Sequence, residues 1–347
     1  MNKVYYLSEL LFGEFHAGTK ARIDVERIFE NSDCKKLGMR IRSAGSKWIY
    51  RIKNAVPAFY NQWKLKRIKG DIVFIQYPIT ALKTMLSAVI RDIAGKNKII
   101  FLLHDVSYIR YFSQPERKVP EIEFLNLASG LICHNDIMIK KLQEDGVNKP
   151  AFTSLELFDY LIDDKAVLPT PIYGNEICFA GNLQKSEFLN QLANSSSIDF
   201  TLNLFGPNYE PLNSDHIIYK GSYKPEELVS HLNFSYGLVW DGPDIDTCSG
   251  EYGLYTKYNN PHKLSLYIAA GLPVIVWEKA AMAEFVIKNN IGITVDSLLN
   301  IDKKISGISE IDYNVMVENV RKFQKNVLSG YYLKTAMGNI INLCQKA

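Results

Sequence analysis

Lys263 sits in Pro261-His262-Lys263-Leu264, a helix start that follows directly on a long polar stretch, and that placement suits an anion. The runs on either side, Gly237-Leu238-Val239-Trp240 and Pro273-Val274-Ile275-Val276-Trp277, are short, apolar and rich in β-branched and aromatic residues. Such runs are expected of strands buried on both faces of a parallel sheet. Between them Asn260 suits a helix cap, Pro261 the first helical position and Gly271 the helix end. Free backbone N–H groups and the positive dipole end at residues 261–264 attract phosphate, and the ammonium of Lys263 adds a full charge. A lone lysine in a first helical turn is ordinarily a solvated surface residue. Here residues 241–262 hold Asp, Thr, Ser, Glu, Tyr, Asn and His with hardly an aliphatic side chain, too long for a simple connection, and long ordered loops usually carry a site.

Candidates for proton transfer lie in the first half. His16 and Glu14 stand in a loop after the first apolar run, and His104 and Asp105 follow another. His16 has the ordinary titration range of a general base, whereas His104 and Asp105 could equally cap a strand end. Asp244-Ile245-Asp246 has the look of a metal-binding pair, a pattern common by chance. The five cysteines, Cys34, Cys133, Cys178, Cys248 and Cys344, are scattered, odd in number and without metal-ligand spacing. No disulfide framework or structural zinc is implied, and Cys248 reads as a packing residue.

The elements that must position these groups alternate. Strands are expected at 4–7, 71–76, 98–103 and 130–133, with helices through about residue 30, near 78–94 and at 120–128. A second set of strands is expected at 176–180, 200–205, 216–219, 237–240 and 273–277, with a helix from Pro225 to about Leu232 and helices over the last 35 residues. Such alternation makes parallel, doubly wound sheets whose ligands gather at the strands' C-terminal ends. The prolines and turn formers of 163–175 mark a linker. At 347 residues the chain exceeds the size of one growing core, so two domains are expected.

The net charge of +3 hides an asymmetry: residues 34–70 hold eleven Lys or Arg and no Asp or Glu, leaving the remainder at −8. Trp48, Ile49, Tyr50, Ile52, Phe59, Tyr60 and Trp63 interleave with these cations, a mixture suited to an anionic membrane surface. An ordinary amphipathic helix pair would read the same way. Nucleic-acid binding is not expected, since no binding module accompanies the charge. The N-terminus runs into a strand pattern rather than a signal peptide, and no run approaches the length of a membrane span, so a cytoplasmic protein is expected.

The run from Pro261 to Val274 resembles the diphosphate-binding segment of GT-B glycosyltransferases, in which proline and lysine open a helix ending in Ala-Gly-x-Pro-Val. Asp241-Gly242, Thr247-Cys248-Ser249-Gly250, Tyr258-Asn259-Asn260-Pro261-His262-Lys263 and Ser265-Leu266-Tyr267 resemble bacterial β-1,6-galactofuranosyltransferases of O-antigen and capsule assembly. More distantly the chain is similar to streptococcal glucosyltransferases that extend sugars on serine-rich adhesins. Further matches run from Ala17-Gly18-Thr19-Lys20-Ala21-Arg22 through His134-Asn135, Phe158-Asp159-Tyr160-Leu161 and Ala180-Gly181-Asn182-Leu183 to Leu204-Phe205-Gly206, so the likeness spans nearly the whole chain. Many retaining GT-B enzymes place a ribose-binding glutamate three residues after the lysine; Leu266 stands there, which argues for an inverting enzyme.

The resemblance implies an α/β fold of GT-B type, two Rossmann-like domains facing across a cleft. Residues 1–165 would form the acceptor side, completed by a C-terminal helix at about 329–347, and residues 166–328 the nucleotide-sugar side. It implies a UDP-sugar donor held by Lys263, Lys185, Tyr223, Gly181 and Asn182, with Thr19 reaching in from the first domain. Asp241, Thr247, Ser249, Asn260 and His262 complete the donor set, and His16 or Asp105 would serve as base. No metal or other cofactor is expected. The expected reaction is transfer of galactofuranose from UDP-galactofuranose to a glycan or lipid-linked glycan, by a homo-oligomer peripheral on the inner membrane. The alternatives are a UDP-glucose-dependent glucosyltransferase, a non-hydrolysing UDP-sugar epimerase of the same architecture, and a non-catalytic partner of another transferase.

Overall fold

The computed structural model describes residues 2–8, 17–39, 47–80, 83–163 and 166–346. These group into two compact units, one of 2–8, 22–155 and 333–346, the other of 17–21 and 156–332.

The first unit carries β1 (Val4–Ser8), α1 (Ala17–Glu30, whose first residues belong to the second unit), β2 (Lys35–Gly38), α2 (Lys47–Lys66), β3 (Ile72–Tyr77) and α3 (Lys83–Ala94). It continues with β4 (Lys98–Leu103), α4 (Ser107–Arg110), α5 (Lys118–Leu125), β5 (Gly130–Cys133), α6 (Asp136–Glu144) and β6 (Ala151–Ser154). Its six strands are all parallel, in the order β2-β1-β3-β4-β5-β6. Every residue of β3 and β5 is buried, Gln76 of β3 included, as runs this rich in apolar residues demand. α3 lays Leu86, Val89, Ile90 and Ile93 on its buried face, the spacing of one helical stripe.

The second unit carries β7 (Glu176–Ala180), α7 (Phe188–Ala193), β8 (Thr201–Phe205), β9 (Ile217–Tyr219), α8 (Pro225–Leu228), β10 (Tyr236–Val239), α9 (Gly250–Tyr255) and α10 (His262–Ala269). β11 (Val274–Trp277), α11 (Ala283–Lys288), β12 (Gly292–Val295), α12 (Ile301–Ser306) and α13 (Glu310–Ser329) follow. This sheet is also wholly parallel, ordered β12-β11-β10-β7-β8-β9. From β7 the chain winds outward through β8 and β9, then returns to β7's other side and winds away through β10, β11 and β12. The seam between β7 and β10 is therefore where the winding reverses. In doubly wound sheets the crevice beyond the strand ends at such a seam is where ligands bind.

The last helix, α14 (Tyr331–Lys346), belongs from Leu333 onward to the first unit. It presses on β5: a Cβ at Gly130 would stand 2.7 Å from Ile340 Cγ1, and Cys344 Sγ donates to Ser129 O at 3.3 Å. No helix among the described residues is long and apolar enough to cross a membrane.

Candidate functional site

In the second unit the ends of β7 and β10 converge on Lys263. Its Nζ donates to Asp241 Oδ1 at 2.8 Å and to Trp240 O at 3.2 Å, and stands 4.6 Å from the centre of the Phe179 ring. Phe179 lies on β7, Trp240 and Asp241 directly follow β10, and Lys263 is on the first turn of α10. The ammonium thus sits over the seam where the sheet reverses. Leu264 N already donates to Pro261 O at 2.9 Å, so the N–H groups of His262 and Lys263 are the fixed donors at this helix start, beside a mobile charge.

Glycines bring the strand ends this close. Gly181, just beyond β7, faces Lys263: a Cβ there would lie 3.2 Å from Lys263 Cε. Gly206, just beyond β8, has φ +140°, and a Cβ on it would fall 1.8 Å from the Gly181 carbonyl oxygen. Gly181 N in turn donates to Phe205 O at 3.0 Å. α10 is docked onto β10 in the same manner, since a Cβ at Gly237 would enter the Tyr267 ring at 2.2 Å. Tyr267 Oη then accepts from Ala180 N at 2.9 Å, tying α10 to β7. Replacing Gly181 with alanine should therefore push the Lys263 side chain aside without disturbing the sheet. The expected result is a several-fold rise in KM for the donor with Tm nearly unchanged, read by steady-state kinetics and a thermal melt.

Two expectations about this segment need correction. Asn260 does not cap α10; Pro261 occupies the cap position without a side-chain bond, and Asn260 Nδ2 donates to Glu156 O at 2.7 Å. Asn260 is buried and fastens the helix start to residue 156. Nor is 241–262 an open polar loop, because α9 forms within it and buries Cys248, Gly253 and Tyr255. Gly253 is required there, a Cβ on it lying 2.7 Å from Asp241 O. The expected C-terminal end of α10 is found: Gly271 has φ +80° and Leu272 N returns to Tyr267 O at 2.9 Å.

The remaining donor candidates make contacts of their own. Lys185 is exposed, its Nζ 5.6 Å from the Tyr252 ring centre, and Asn182 Oδ1 accepts from Asn208 Nδ2 at 3.2 Å. Tyr223 is 38% exposed and stacks on His231 at 3.8 Å between ring centroids. Thr247 is half-buried, and Ser249 Oγ donates to Asp244 Oδ2. Asp246 Oδ1 accepts from Ser297 Oγ at 3.1 Å. Hydrogen bonds thus engage both carboxylates of the Asp244-Ile245-Asp246 pair. Cys248 is buried and its thiol is pushed up to about 12 by desolvation, which suits packing and not nucleophilic attack. Thr19 lies on the first turn of α1, in the stretch grouped with the second unit and not the first. Its neighbour Lys20 is buried, donates from Nζ to Leu161 O and stands 4.7 Å from the Tyr160 ring centre.

His262 turns its ring into an aromatic setting, 5.1 Å from Tyr160 and 6.0 Å from Phe158. Its Nε2 is shut off from solvent and has no hydrogen-bond partner among the described residues. Burial, with the Lys20 charge adding to it, holds its pKa at about 3 against an ordinary 6.5. The folded ring is neutral, so below pH 6.5 the unfolded chain binds the extra proton. Stability from this group is complete above pH 6.5 and is lost as pH falls toward 3. His262→Phe, which keeps the ring and removes the titration, should flatten the decline of Tm between pH 6.5 and 4. An unaltered decline would place the acid sensitivity elsewhere.

His16 and Glu14 lie outside the described residues. The strand end after β4 holds His104, whose Nε2 is 2.7 Å from Gln76 Oε1, and Asp105, whose Oδ2 accepts from Arg110 at 2.6 Å. Asp105 is thus an ion-paired carboxylate.

The roles of Phe179, Trp240 and Gly206 have no signal in composition or spacing alone. A glycine just past each of two neighbouring strands is the one local hint.

The chain matches the model of the glucosyltransferase 3-like N-terminal domain over residues 4–155 and that of the C-terminal domain over residues 177–340. It is 27% identical, over 98% of each chain, to the β-1,6-galactofuranosyltransferase WbbI of Escherichia coli K12. It is also 27% identical to glucosyltransferase 3 of Streptococcus gordonii, over 77% of this chain and 78% of that one. Among solved structures, sucrose-phosphate synthase from Thermosynechococcus elongatus superposes with a TM-score of 0.63 at 13% identity, covering 99% of each chain. Anabaena HepE in complex with UDP-glucose gives a TM-score of 0.61 at 11% identity, covering 99% of this chain and 100% of that one. These likenesses show the GT-B fold.

Proposed function

This chain belongs to the glucosyltransferase 3-like family of GT-B glycosyltransferases, and from that membership we propose that it transfers galactofuranose from UDP-galactofuranose, with inversion, to a hydroxyl of a growing surface glycan. The donor reading rests above all on Lys263, set over the seam of β7 and β10 with Asp241 at 2.8 Å and Gly181 beside it. As the glycosidic bond breaks, negative charge grows on the departing diphosphate. Lys263 and the first α10 N–H groups face that charge, the kind of stabilisation that contributes most in such sites. Asp241 and the Thr247 to Gly250 turn are assigned to the sugar hydroxyls, for which they offer acceptors, and Lys185, Tyr223 and Asn182 are assigned to UDP. The reading assigns no step to a metal.

His16 is assigned the proton of the attacking hydroxyl. Asp105, tied to Arg110, orients the strand end that carries His104. Leu266 is 5% exposed and belongs to the core, so no carboxylate follows the lysine to grip the ribose, and this supports inversion. Similarity along nearly the whole length to a galactofuranosyltransferase supports the choice of sugar. Likeness to glucosyltransferase 3 keeps UDP-glucose as the second reading. Incubation with each UDP-sugar and a simple glycoside acceptor, with UDP release measured, separates them. UDP-galactofuranose should be turned over fastest; turnover with UDP-glucose alone would reject the first reading. Interconversion of sugar nucleotides with no acceptor present would indicate an epimerase.

The same reading sets the enzyme against an anionic membrane through α2. Val56, Phe59 and Trp63 are 78%, 73% and 46% exposed along one side of this helix, with exposed Lys53, Lys66 and Arg67 flanking them. The Arg67 guanidinium covers the Trp63 ring at 3.5 Å. Apolar rings bordered by cations match the interfacial zone of a bilayer. Phe59→Ser with Trp63→Ser is expected to lower co-sedimentation with phosphatidylglycerol vesicles about ten-fold, and equal sedimentation would return α2 to an ordinary solvated helix.

A further inference from the structure

Within the first unit, a cavity of about 280 Å³ opens beyond the C-terminal ends of β3 and β4, between α3 and α5. That volume is close to the lower end for small-ligand pockets, enough for a charged group and not for a whole glycan. Lys83 and Arg91 of α3 and Arg117, just before α5, line it. All three are exposed, and none has a carboxylate partner among the described residues. Glu121, the one acid in the lining among the described residues, has both carboxylate oxygens hydrogen-bonded. Its Oε1 accepts from Tyr77 Oη at 2.7 Å and Ser107 N at 2.9 Å, and its Oε2 accepts from Tyr108 N at 2.7 Å. Glu121 thus builds the floor, and its single charge offsets one of the three cations, which leaves the lining positive.

Both guanidinium groups lie beside aromatic rings. Arg117 Nε donates to Gln114 Oε1 at 2.5 Å, and its guanidinium stands 5.1 Å from the Tyr111 ring centre. The Arg91 guanidinium stands 5.6 Å from the ring centre of Phe124, itself part of the lining. Contacts to ring faces leave N–H edges free to fork onto an anion, the geometry in which arginine pairs with phosphate. The Ser87 side chain between Lys83 and Arg91 adds a neutral donor. Three cations around one hollow, against a single carboxylate in its floor among the described residues, call for a negative occupant with several oxygens.

We infer that this cavity binds a phosphoryl group, a phosphodiester or diphosphate, carried by the acceptor. The inference rests on the proposed transferase reading and adds the acceptor's chemical class to it. It is tested with two acceptors of the same sugar, a neutral octyl glycoside and its water-soluble alkyl-phosphoryl counterpart, each titrated against a fixed donor. Turnover of the neutral glycoside reports on the transferase reading by itself. The phosphorylated acceptor should show a KM at least ten-fold lower than the neutral one. In Arg91→Gln with Arg117→Gln that advantage should vanish, while the KM for the neutral glycoside and for the donor stays put. Equal KM values in the wild-type enzyme, or a preference that survives the double variant, would overturn the assignment. Because a lipid headgroup offers the same chemistry, binding to phosphatidylglycerol vesicles is measured alongside. Vesicle binding indifferent to the two arginines supports an acceptor site, and its loss together with an unaltered acceptor preference contradicts one. A melt of the double variant and direct titration with inorganic pyrophosphate give readouts free of turnover.

Discussion

Lys263→Ala is expected to lower kcat by about 10²–10³-fold, the usual loss when one preorganised group facing developing charge is removed. The lysine puts a mobile positive charge at the seam. Its ammonium lies close to Asp241, Trp240 O, the Phe179 ring and the Gly181 backbone. Asp241 holds it in place, and an arriving diphosphate competes with that carboxylate for the same charge. The effect should fall on activity and not on folding. Lys263 and Asp241 are 17% and 33% exposed at their side chains, so the pair is partly screened and its removal leaves no deeply buried charge. The circular dichroism spectrum should match the wild type while UDP release collapses. Retention of more than about a tenth of wild-type kcat would mean that the leaving group is stabilised elsewhere.

Gly206→Ala should produce the largest loss of stability. A Cβ at this position meets the Gly181 carbonyl oxygen at 1.8 Å, and the φ of +140° is one that side chains rarely adopt. The obstacle is backbone on the neighbouring strand end, so no rotamer change relieves it. Strain and overpacking together are expected to cost about 3 kcal/mol or more. For a unit of this size that lowers Tm by roughly 6–12 °C. The strand ends would have to part, and because Gly181 also borders Lys263, donor binding should weaken with stability. Gly181→Ala supplies the contrast, since its new methyl meets only the flexible end of a lysine. An unchanged melt for Gly206→Ala would contradict the tight crossing of the β7 and β8 ends.

The central strands were legible because burial on both faces requires unbroken apolar runs, and β3, β4, β5, β7, β10 and β11 all have them. Three strands without such a signal, β2, β6 and β12, are each at a sheet edge. In β2 only Leu37 is buried, and in β6 all four residues are half-buried, so neither needs an apolar run. The short helix α9 was hidden for another reason. Gly-Glu-Tyr-Gly-Leu-Tyr has weak helix propensity, with two glycines in six residues, and tertiary packing under Asp241 decides its shape. Lys263 and Gly181 were legible as a helix start and a strand end. Their meeting at the reversal of the winding was not, because the seam is a property of strand order. Asn260 shows the converse case: a residue well suited to capping finds a buried carbonyl at Glu156 instead.

The claim that the seam of β7 and β10 holds the donor diphosphate is tested most directly by calorimetric titration of UDP and of uridine into the wild-type protein and Lys263→Ala. UDP should bind the variant at least ten-fold more weakly, while uridine, which lacks the diphosphate, binds both proteins alike. Equal affinity of UDP for the two proteins would contradict the placement of the diphosphate at Lys263.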